Sequence, residues 1–329
     1  MPTCPAPVRP LDATAAAELT AVAAGLLAEH GSATSPALLA ALPKACAGLG
    51  HTVRQALRPV DTADGLFVLR GLTPDDSGLG PTPGHWSTAG ESGALWDVVL
   101  LLVSTLMGTP IAWEGQQDGR FVHNIVPSPG HEGEQTGASS SVLLTPHTED
   151  AFHPGRAHLL VLCCMRNHDD IATTAASIRR TALSTEDIAQ LERPVVPILP
   201  DDAYERAQRF PGRPAPVPTL FDTAEGLTLR FDPAYTPLDE ADAAWRQAYR
   251  RLEDELARVS VAVSLRPGDV LVVDNDIVVH GRVPFRARYD GTDRWLKRAS
   301  VRVPGRRTRP EAEADEHGYG QTALEAHTS

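Results

Sequence analysis

The chain has 329 residues and a formal net charge of −12 at pH 7, and hydrophobic residues make up 42% of it. This length and apolar content allow one large core or two smaller ones. The negative charge disfavours nucleic acid as a partner, because no excess of basic residues is left to neutralise phosphates. The chain start lacks the apolar stretch of a signal peptide, and the longest apolar run, residues 95–107, is too short to span a bilayer. We therefore expect a cytoplasmic protein without a nucleic-acid or membrane partner.

Ala and Leu recur at helical spacing in residues 1–60, which predicts an N-terminal helical support. Helices are expected over 11–30 and over 36–57. A strand bounded by glycines at 65–71 follows, and then a loop rich in Gly, Pro and Ser. The next predicted element is a buried helix over 93–107.

Short apolar runs separated by turn residues predict a series of strands in the rest of the chain. These strands span 121–127, 141–145, 157–165, 173–179, 226–232, 268–275 and 295–303. A capped short helix at 184–191 and a strongly amphipathic helix at 238–259 interrupt the series. Early helices followed by many short strands predict a mainly β fold with flanking helices and a double-stranded β-helix, or jelly-roll, core.

The four cysteines show no spacing typical of a zinc or redox site. Cys163 and Cys164 are adjacent on a predicted strand, so their side chains are expected on opposite faces of the sheet. We interpret them as small buried side chains in a reducing compartment, which agrees with a cytoplasmic location.

Two segments differ in composition from the elements around them. Residues 193–218 are rich in proline and charge, which predicts a mobile surface segment that is either a lid over a site or an ordinary loop. Residues 304–329 are charged and poor in apolar side chains, which predicts a disordered tail. We therefore divide the chain into the helical support, a core at 61–303 with the candidate lid inserted, and the tail.

His147 and Glu149 are the first candidates for a metal site. On an extended segment, residues i and i+2 point the same way, so both side chains could bind one ion. His280 follows a predicted buried strand and precedes a glycine, which suits a third ligand. Two histidines and one carboxylate on one face of a metal form the facial triad of non-haem Fe(II) oxygenases. The alternatives are a chance His-x-Glu, since the chain has 12 histidines, and a core histidine at 280.

Reduction of O2 by such an oxygenase takes four electrons, of which the attacked C–H bond supplies two. The other two usually come from 2-oxoglutarate, whose distal carboxylate needs a fixed cation such as a bidentate arginine. Arg294 and Arg298 lie downstream of His280, and their spacing places them on one face of an extended strand. A surface ion pair with Asp290 or Asp293 is the alternative role for these arginines.

Three blocks of sequence closely resemble the clavaminate synthase-like group of Fe(II)/2-oxoglutarate oxygenases. The blocks are residues 117–130, residues 147–154 (HTEDAFHP) and residues 289–296 (YDGTDRWL), and the resemblance extends over roughly 60–303. That group includes arginine and asparagine β-hydroxylases of peptide-antibiotic biosynthesis. The resemblance implies Fe(II), 2-oxoglutarate and O2 as cofactor and co-substrates, and a small-molecule amino acid as substrate. It also implies that the iron ligands are the two histidines and the glutamate of the candidate triad.

The same resemblance implies roles for further residues in 2-oxoglutarate binding. Arg294 would hold the distal carboxylate of 2-oxoglutarate, assisted by Thr173 or by the adjacent Thr174. Arg298 matches an arginine near the substrate carboxylate, close to the 2-oxoglutarate site.

The substrate amino group would contact Gln116 or Gln117, and also the outer oxygen of Glu149. Asp232 matches a position that contacts the substrate side chain. The arginine hydroxylases have a second acid two residues later, where this chain has Ala234, and this departure weakens the case for arginine as substrate. Asp232 still favours a polar or cationic side chain, because a buried carboxylate needs a charged or donor partner. A turn aspartate before a proline is the alternative.

The sequence thus predicts hydroxylation of a free polar or cationic L-amino acid, most favourably at Cβ, with release of succinate and CO2. Glu149 favours hydroxylation over chlorination, since related halogenases have a small residue in its place. Desaturation, oxidative cyclisation and a substrate tethered to a carrier protein remain open. Two other classes of protein are alternatives: a jelly-roll binding protein without iron, and a zinc hydrolase. The latter has no HExxH motif in support and would leave Arg294 without a role.

Overall fold

The computed structural model describes residues 6–60, 62–91, 93–204, 215–223, 225–306, 313 and 316–326. The α-helices in these ranges are α1 Ala13–His30, α2 Pro36–Gly48, α3 His51–Ala56, α4 Asp76–Leu79, α5 Ala94–Met107, α6 Thr185–Leu191 and α7 Ala243–Val259. The strands are β1 Val8–Pro10, β2 Leu66–Arg70, β3 Thr109–Trp113, β4 Val122–Ile125, β5 Leu144–His147, β6 Leu159–Arg166, β7 Thr173–Ser177, β8 Leu220–Phe221, β9 Thr228–Leu229, β10 Val261–Val263, β11 Val270–Asp274, β12 Val278–Arg282, β13 Trp295–Arg302 and β14 Ala323–Glu325.

The N-terminal helices pack on the outside of the larger sheet. α1 begins where the side chain of Asp12 accepts a hydrogen bond from a backbone N–H of the first turn, as expected of a helix N-cap. It ends before Gly31, whose φ of 75° is a conformation that glycine adopts without strain. None of the helices in the described ranges has the length and apolar character needed to cross a membrane.

The larger sheet has eight strands, in the order β1-β2-β11-β6-β13-β3-β14 with β4 paired to β13. Strand β6 is buried along its whole length, because helices cover one face and the second sheet covers the other. Val161 and Cys163 pack towards α1, α2 and α5, while Leu162 and Cys164 pack towards the second sheet. The opposite directions predicted for Cys163 and Cys164 are thereby confirmed.

The smaller sheet has the order β10-β7-β12-β5. Antiparallel pairing of β12 with β5 sets His280 directly opposite His147. The two sheets share one apolar core, to which Leu160 of β6 and Val278 of β12 both contribute. The predicted mainly β architecture with flanking helices is therefore confirmed.

Some element boundaries differ from the predicted ones. The helix predicted over 36–57 is divided at Leu49, an extended residue between two glycines that disfavour a helix interior. The segment around His280, for which no strand was predicted, forms β12, because it pairs with a strand on each side. The strand predicted over 141–145 begins later, as β5, so that His147 is its last residue.

The predicted tail is ordered where the structure describes it. β14 pairs with β3, Tyr319 packs against Phe152 with ring centroids 5.8 Å apart, and Glu313 pairs with the buried Arg156. The prediction of disorder is therefore wrong for residues 316–326, since strand pairing and buried ion pairs supply the stabilisation that the composition lacks. The residues of the predicted lid and tail that lie outside the described ranges are 205–214, 307–312, 314, 315 and 327–329.

Candidate metal centre and active site

The three predicted metal ligands come together between the two sheets. His147 ends β5, His280 faces it from β12, and Glu149 lies two residues beyond His147. Asn275 fixes the backbone of Glu149 from both sides: its Oδ1 accepts from the Glu149 N–H at 2.9 Å, and its Nδ2 donates to the Glu149 carbonyl at 3.0 Å. As a result, one ligand atom of each side chain lies within 4.8 Å of the other two.

The donor atoms of this cluster suit a divalent transition metal. The Nδ1 of His147 lies 2.8 Å from the Thr145 carbonyl, a partner that leaves Nε2 directed at the cluster. Glu149 Oε2 lies 3.8 Å from the Nε2 of His147 and 3.3 Å from that of His280. This oxygen is buried and has no hydrogen-bond partner within the described part of the chain. Two imidazole nitrogens around an unsatisfied carboxylate oxygen match the facial triad of Fe(II) oxygenases.

Arg298 neutralises the other oxygen of Glu149. Its guanidinium forms an ion pair with Oε1, on the side away from the two histidines. Burial by itself would raise the pKa of Glu149, but Arg298 and the two histidines hold it well below its ordinary value. The carboxylate is therefore ionised and available as a ligand. Arg298, which the resemblance matches to an arginine near the substrate carboxylate, thus contacts the carboxylate of the candidate metal ligand Glu149 in this structure.

Arg294 and Thr173 lie together as the resemblance predicted. Arg294 Nη2 donates to Thr173 Oγ1 at 2.7 Å, which decides the register in favour of Thr173 over Thr174. Burial lowers the pKa of Arg294 to about 10, and no carboxylate of the described residues offsets its charge. The pKa of the adjacent Arg282 is lowered to about 10 by burial and by Arg294. Two buried guanidinium groups near the triad create a strong preference for an anion.

A cavity of about 690 Å³ joins these groups. The predicted residues on its wall are Gln116, Gln117, His147, Glu149, Thr173, His280, Arg294 and Arg298. Its wall also includes Leu162 and Leu296, so that part of the cavity surface is apolar. The cavity therefore offers an anion site, a metal site and an apolar wall within one space.

The two predicted glutamines differ in what their side chains do. The amide of Gln117 is engaged twice by the backbone of Asn124, as donor at 3.1 Å and as acceptor at 3.0 Å. Gln116 is buried, and its Oε1 lies 3.4 Å from Arg298 Nη2. Gln116 is therefore the better placed of the two for a substrate contact.

Asp232 is buried but is not part of the cavity wall described above. Its carboxylate accepts a hydrogen bond of 3.2 Å from the backbone N–H of Ala234, as an aspartate in a turn does. Burial raises the pKa of Asp232 to about 6, although the charge of His147 opposes this. Asp232 thus interacts electrostatically with His147 from outside the cavity wall.

Asp201 and Asp202 were not predicted as site residues, yet both line the cavity. They belong to the segment that composition marked as a candidate lid, and no motif distinguishes them there. Burial and the charges of Asp150 and Glu149 raise the pKa of Asp201 to about 8, so that this carboxyl is ionised at neutral pH when a cation bound beside it lowers the pKa again. The only signal in the sequence was the acidic pair itself beside Tyr204, an aromatic residue in an otherwise polar stretch.

The facial triad, the buried Arg294 with Thr173 and the connecting cavity define an oxygenase that depends on Fe(II) and 2-oxoglutarate. Residues 100–300 match the family described as taurine catabolism dioxygenase TauD, TfdA family. The chain belongs to this family.

Individual relatives agree with that assignment. Enduracididine beta-hydroxylase of Streptomyces hygroscopicus is 37% identical over 290 residues, which cover 79% of this chain and 84% of that protein. Clavaminate synthase 2 of Streptomyces clavuligerus is 34% identical over 272 residues, 81% of each chain. The solved structure of the non-heme iron oxygenase OrfP with Fe, succinate and (3R,4R)-dihydroxy-L-Arg matches with a TM-score of 0.83 at 37% identity, covering 90% of this chain and 94% of that one. The resemblance seen in the sequence is confirmed.

Proposed function

We propose that the protein hydroxylates a free L-amino acid with a polar or cationic side chain, at Cβ, in natural-product biosynthesis. 2-Oxoglutarate, O2 and the amino acid are converted to succinate, CO2 and the hydroxylated amino acid. The observation on which the proposal rests is the buried triad next to Arg294, a guanidinium without a carboxylate partner among the described residues. The names of the hydroxylases among its relatives support an amino acid as substrate.

Each group of residues has a distinct task in this reaction. His147, Glu149 and His280 hold the iron, which together with 2-oxoglutarate and O2 supplies the oxidant for a C–H bond. Arg294 and Thr173 bind the distal carboxylate of 2-oxoglutarate, for which a buried bidentate cation is well suited. The apolar part of the cavity wall helps to exclude water from the attacked carbon.

The substrate is oriented by its charged groups. We assign the α-carboxylate to Arg298 and the amino group to Gln116 and the outer oxygen of Glu149, which lie next to one another. Acidic residues on the cavity wall favour a cationic side chain at the other end of the substrate, and Asp232, which interacts electrostatically with His147, adds negative charge. These wall residues are Glu114, Asp118, Glu134, Asp201 and Asp202.

The arrangement of the sheets and the state of the cysteines support the fold and the cellular location that this function implies. The two sheets that share a core support a double-stranded β-helix, the architecture expected of such a site. Three buried, unpaired cysteines support a reducing compartment and hence a cytoplasmic location.

The test is succinate formation by the iron-loaded protein with 2-oxoglutarate, air and each of a panel of free L-amino acids, with products identified by mass. We expect one polar or cationic amino acid to give equal amounts of succinate and a product heavier by one oxygen. His280→Ala should abolish both, whereas His51→Ala, at an exposed position of α3, should not. A product lighter than the substrate by two hydrogens would show that the reaction is desaturation or cyclisation and not hydroxylation. Succinate without any product from every free amino acid would favour a carrier-tethered substrate.

A further inference from the structure

Asp150, the residue after the metal ligand Glu149, is a buried carboxylate that points away from the metal cluster. Its backbone has a φ of 53°, a left-handed conformation that turns the chain directly after the ligand. One carboxylate oxygen accepts a hydrogen bond of 2.6 Å from Trp113 Nε1. The other accepts a hydrogen bond of 2.5 Å from the Tyr204 hydroxyl. Both oxygens of Asp150 thus have buried donors.

A second buried carboxylate beside Glu149 is unfavourable in itself. Burial removes hydration, and the neighbouring negative charge adds repulsion. Asp150 is not one of the three clustered ligands, so metal binding does not account for it. Its hydrogen bonds connect three parts of the chain: the metal-ligand segment, β3 through Trp113 and the segment ending at Tyr204. This connection is the role that the contacts suggest.

Tyr204 ends a short stretch, residues 198–204, that we call the acidic segment. The stretch contains Asp201 and Asp202 on the cavity wall. Tyr204 is almost completely buried and packs against Phe152, with ring centroids 4.8 Å apart. Its backbone N–H donates to the Asp201 carbonyl at 3.1 Å, so that one turn joins the two residues. Wherever the Tyr204 side chain is held, Asp201 is held as well.

The other end of the acidic segment is attached through its backbone. The Ile198 carbonyl accepts a hydrogen bond of 3.1 Å from the Tyr319 hydroxyl, and the Leu199 N–H donates to the Tyr235 carbonyl at 2.9 Å. These contacts hold the start of the segment, and the Tyr235 hydroxyl contacts the turn itself, as acceptor from the Asp202 N–H at 3.3 Å and as donor to the Asp202 carboxylate at 3.0 Å. The hydrogen bond of Tyr204 to Asp150 fixes that turn relative to Glu149, and hence relative to the metal.

We propose that Asp150 is a positioning residue for substrate selection: through Tyr204 it holds Asp201 over the cavity, so that amino acids with a cationic side chain bind in preference to neutral ones. The inference rests on the proposed function, because it assumes that an amino acid occupies this cavity. It adds a residue that touches neither iron nor substrate, and it assigns the discrimination to the distance between the acidic segment and the metal-ligand segment.

The test compares L-arginine with L-citrulline, a neutral amino acid of nearly the same shape. Protein loaded with Fe(II) and 2-oxoglutarate is titrated without oxygen by calorimetry with each amino acid. Tyr204→Phe removes one hydroxyl and keeps the ring against Phe152. We expect the Kd for arginine to rise about tenfold and that for citrulline less than about twofold, since one hydrogen bond to a charged group is lost. Tyr249→Phe, which removes an equally buried hydroxyl bonded to Thr236, is the matched control and should change neither.

A double-mutant cycle with Asp201→Asn separates positioning from general damage. If Tyr204 acts through Asp201, the two substitutions should be strongly non-additive for arginine, and Asp150→Asn should resemble Tyr204→Phe. Additive effects, an equal loss for both amino acids, or a wild-type protein that does not prefer arginine would each overturn the inference. Preferred binding of arginine by a protein that hydroxylates no amino acid would instead overturn the proposed function.

Discussion

Arg294 places a permanent positive charge in the protein interior, where its hydrogen bond to Thr173 satisfies only part of the guanidinium. A buried cation of this kind is stable in the protein when an anion binds to it. The geometry of the guanidinium also matters, because a planar fork contacts both oxygens of a carboxylate, whereas an ammonium group contacts them as a point charge.

We therefore expect Arg294→Lys to raise the KM for 2-oxoglutarate by about 10- to 100-fold, the effect of losing one strong charge-assisted hydrogen bond. The KM for the amino acid should change little. Succinate formation at varied 2-oxoglutarate gives both constants. Arg288→Lys, at an exposed arginine paired with Asp169, is the control. An unchanged 2-oxoglutarate KM would show that the carboxylate binds elsewhere.

Gln116 and Gln117 allow a test of two adjacent residues with different roles. Gln117→Ala removes both hydrogen bonds to the Asn124 backbone and should lower stability by about 1–2 kcal/mol, with a small effect on substrate affinity. Gln116→Ala should do the reverse and raise the KM for the amino acid. Urea unfolding of both variants measures the change in stability, and steady-state kinetics measures the change in the KM for the amino acid. The same change in KM for both would contradict the assignment.

The sequence predicted the residues of the site unequally well. His147, Glu149 and His280 were accessible because the period of a strand dictates which side chains share a face. The choice between Thr173 and Thr174 required the pairing partner of Arg294, a contact across 121 residues. Asp201 belongs to no motif, and the acidic pair beside Tyr204 does not by itself indicate a site, since its position depends on contacts with distant residues.

Helix α5 is held against β13 by an ion pair as well as by apolar packing. Lys297 is completely buried, and its Nζ lies 2.5 Å from Asp97 Oδ1 and 3.0 Å from Asn124 Oδ1. Removing one partner of such a pair leaves an uncompensated buried charge, whereas replacing both with apolar residues often has little cost.

Asp97→Ala is therefore expected to lower the free energy of unfolding by about 3–5 kcal/mol. The double variant Asp97→Leu/Lys297→Met should recover most of that loss. Urea unfolding of the two variants and of the wild type measures both changes. A double variant no more stable than Asp97→Ala would mean that the pair contributes more than charge compensation.

At the level of elements, long periodic segments were predicted and short paired ones were not. The helix expected at 93–107 is α5, because thirteen consecutive largely apolar residues suffice to specify a buried helix. Strand β14 has three residues, and its pairing with β3 spans about two hundred positions, so nothing in its own composition specifies it. The same holds for the tail contacts of Glu313 and Tyr319.

Acid should lower the stability of the protein at the contact between His153 and the C-terminal segment. His153 has a pKa lowered to about 4 by burial. Its Nδ1 accepts from the Gly155 N–H at 2.8 Å and its Nε2 lies 3.2 Å from the Gln321 carbonyl, an arrangement that requires the neutral ring. Protonation would place a hydrogen on Nδ1, so that this N–H would face the Gly155 N–H with no acceptor between them.

The unfolded chain binds this proton more tightly, since an unperturbed histidine has a pKa of about 6.5. The stability that His153 contributes is thus fully present above pH 6.5 and is lost as the pH falls towards 4, by up to about 3 kcal/mol. His153→Gln should unfold in urea with a smaller loss of stability between pH 7 and pH 4.5 than the wild type. An identical pH dependence would contradict the assignment.

The candidate metal site and the acidic residues proposed to select the substrate lie on different kinds of backbone. The two histidines of the metal site are fixed by the paired strands β5 and β12, whose register is strongly specified because one face is buried, and Asn275 fixes Glu149. Two of the acids proposed to favour a cationic substrate, Asp201 and Asp202, lie on residues 198–204, an irregular stretch attached by a few hydrogen bonds. The sequence of residues 198–204 can therefore change during evolution while the metal site stays the same. Enzymes that descend from one such ancestor would share the oxidative reaction and differ in the substrate that they accept.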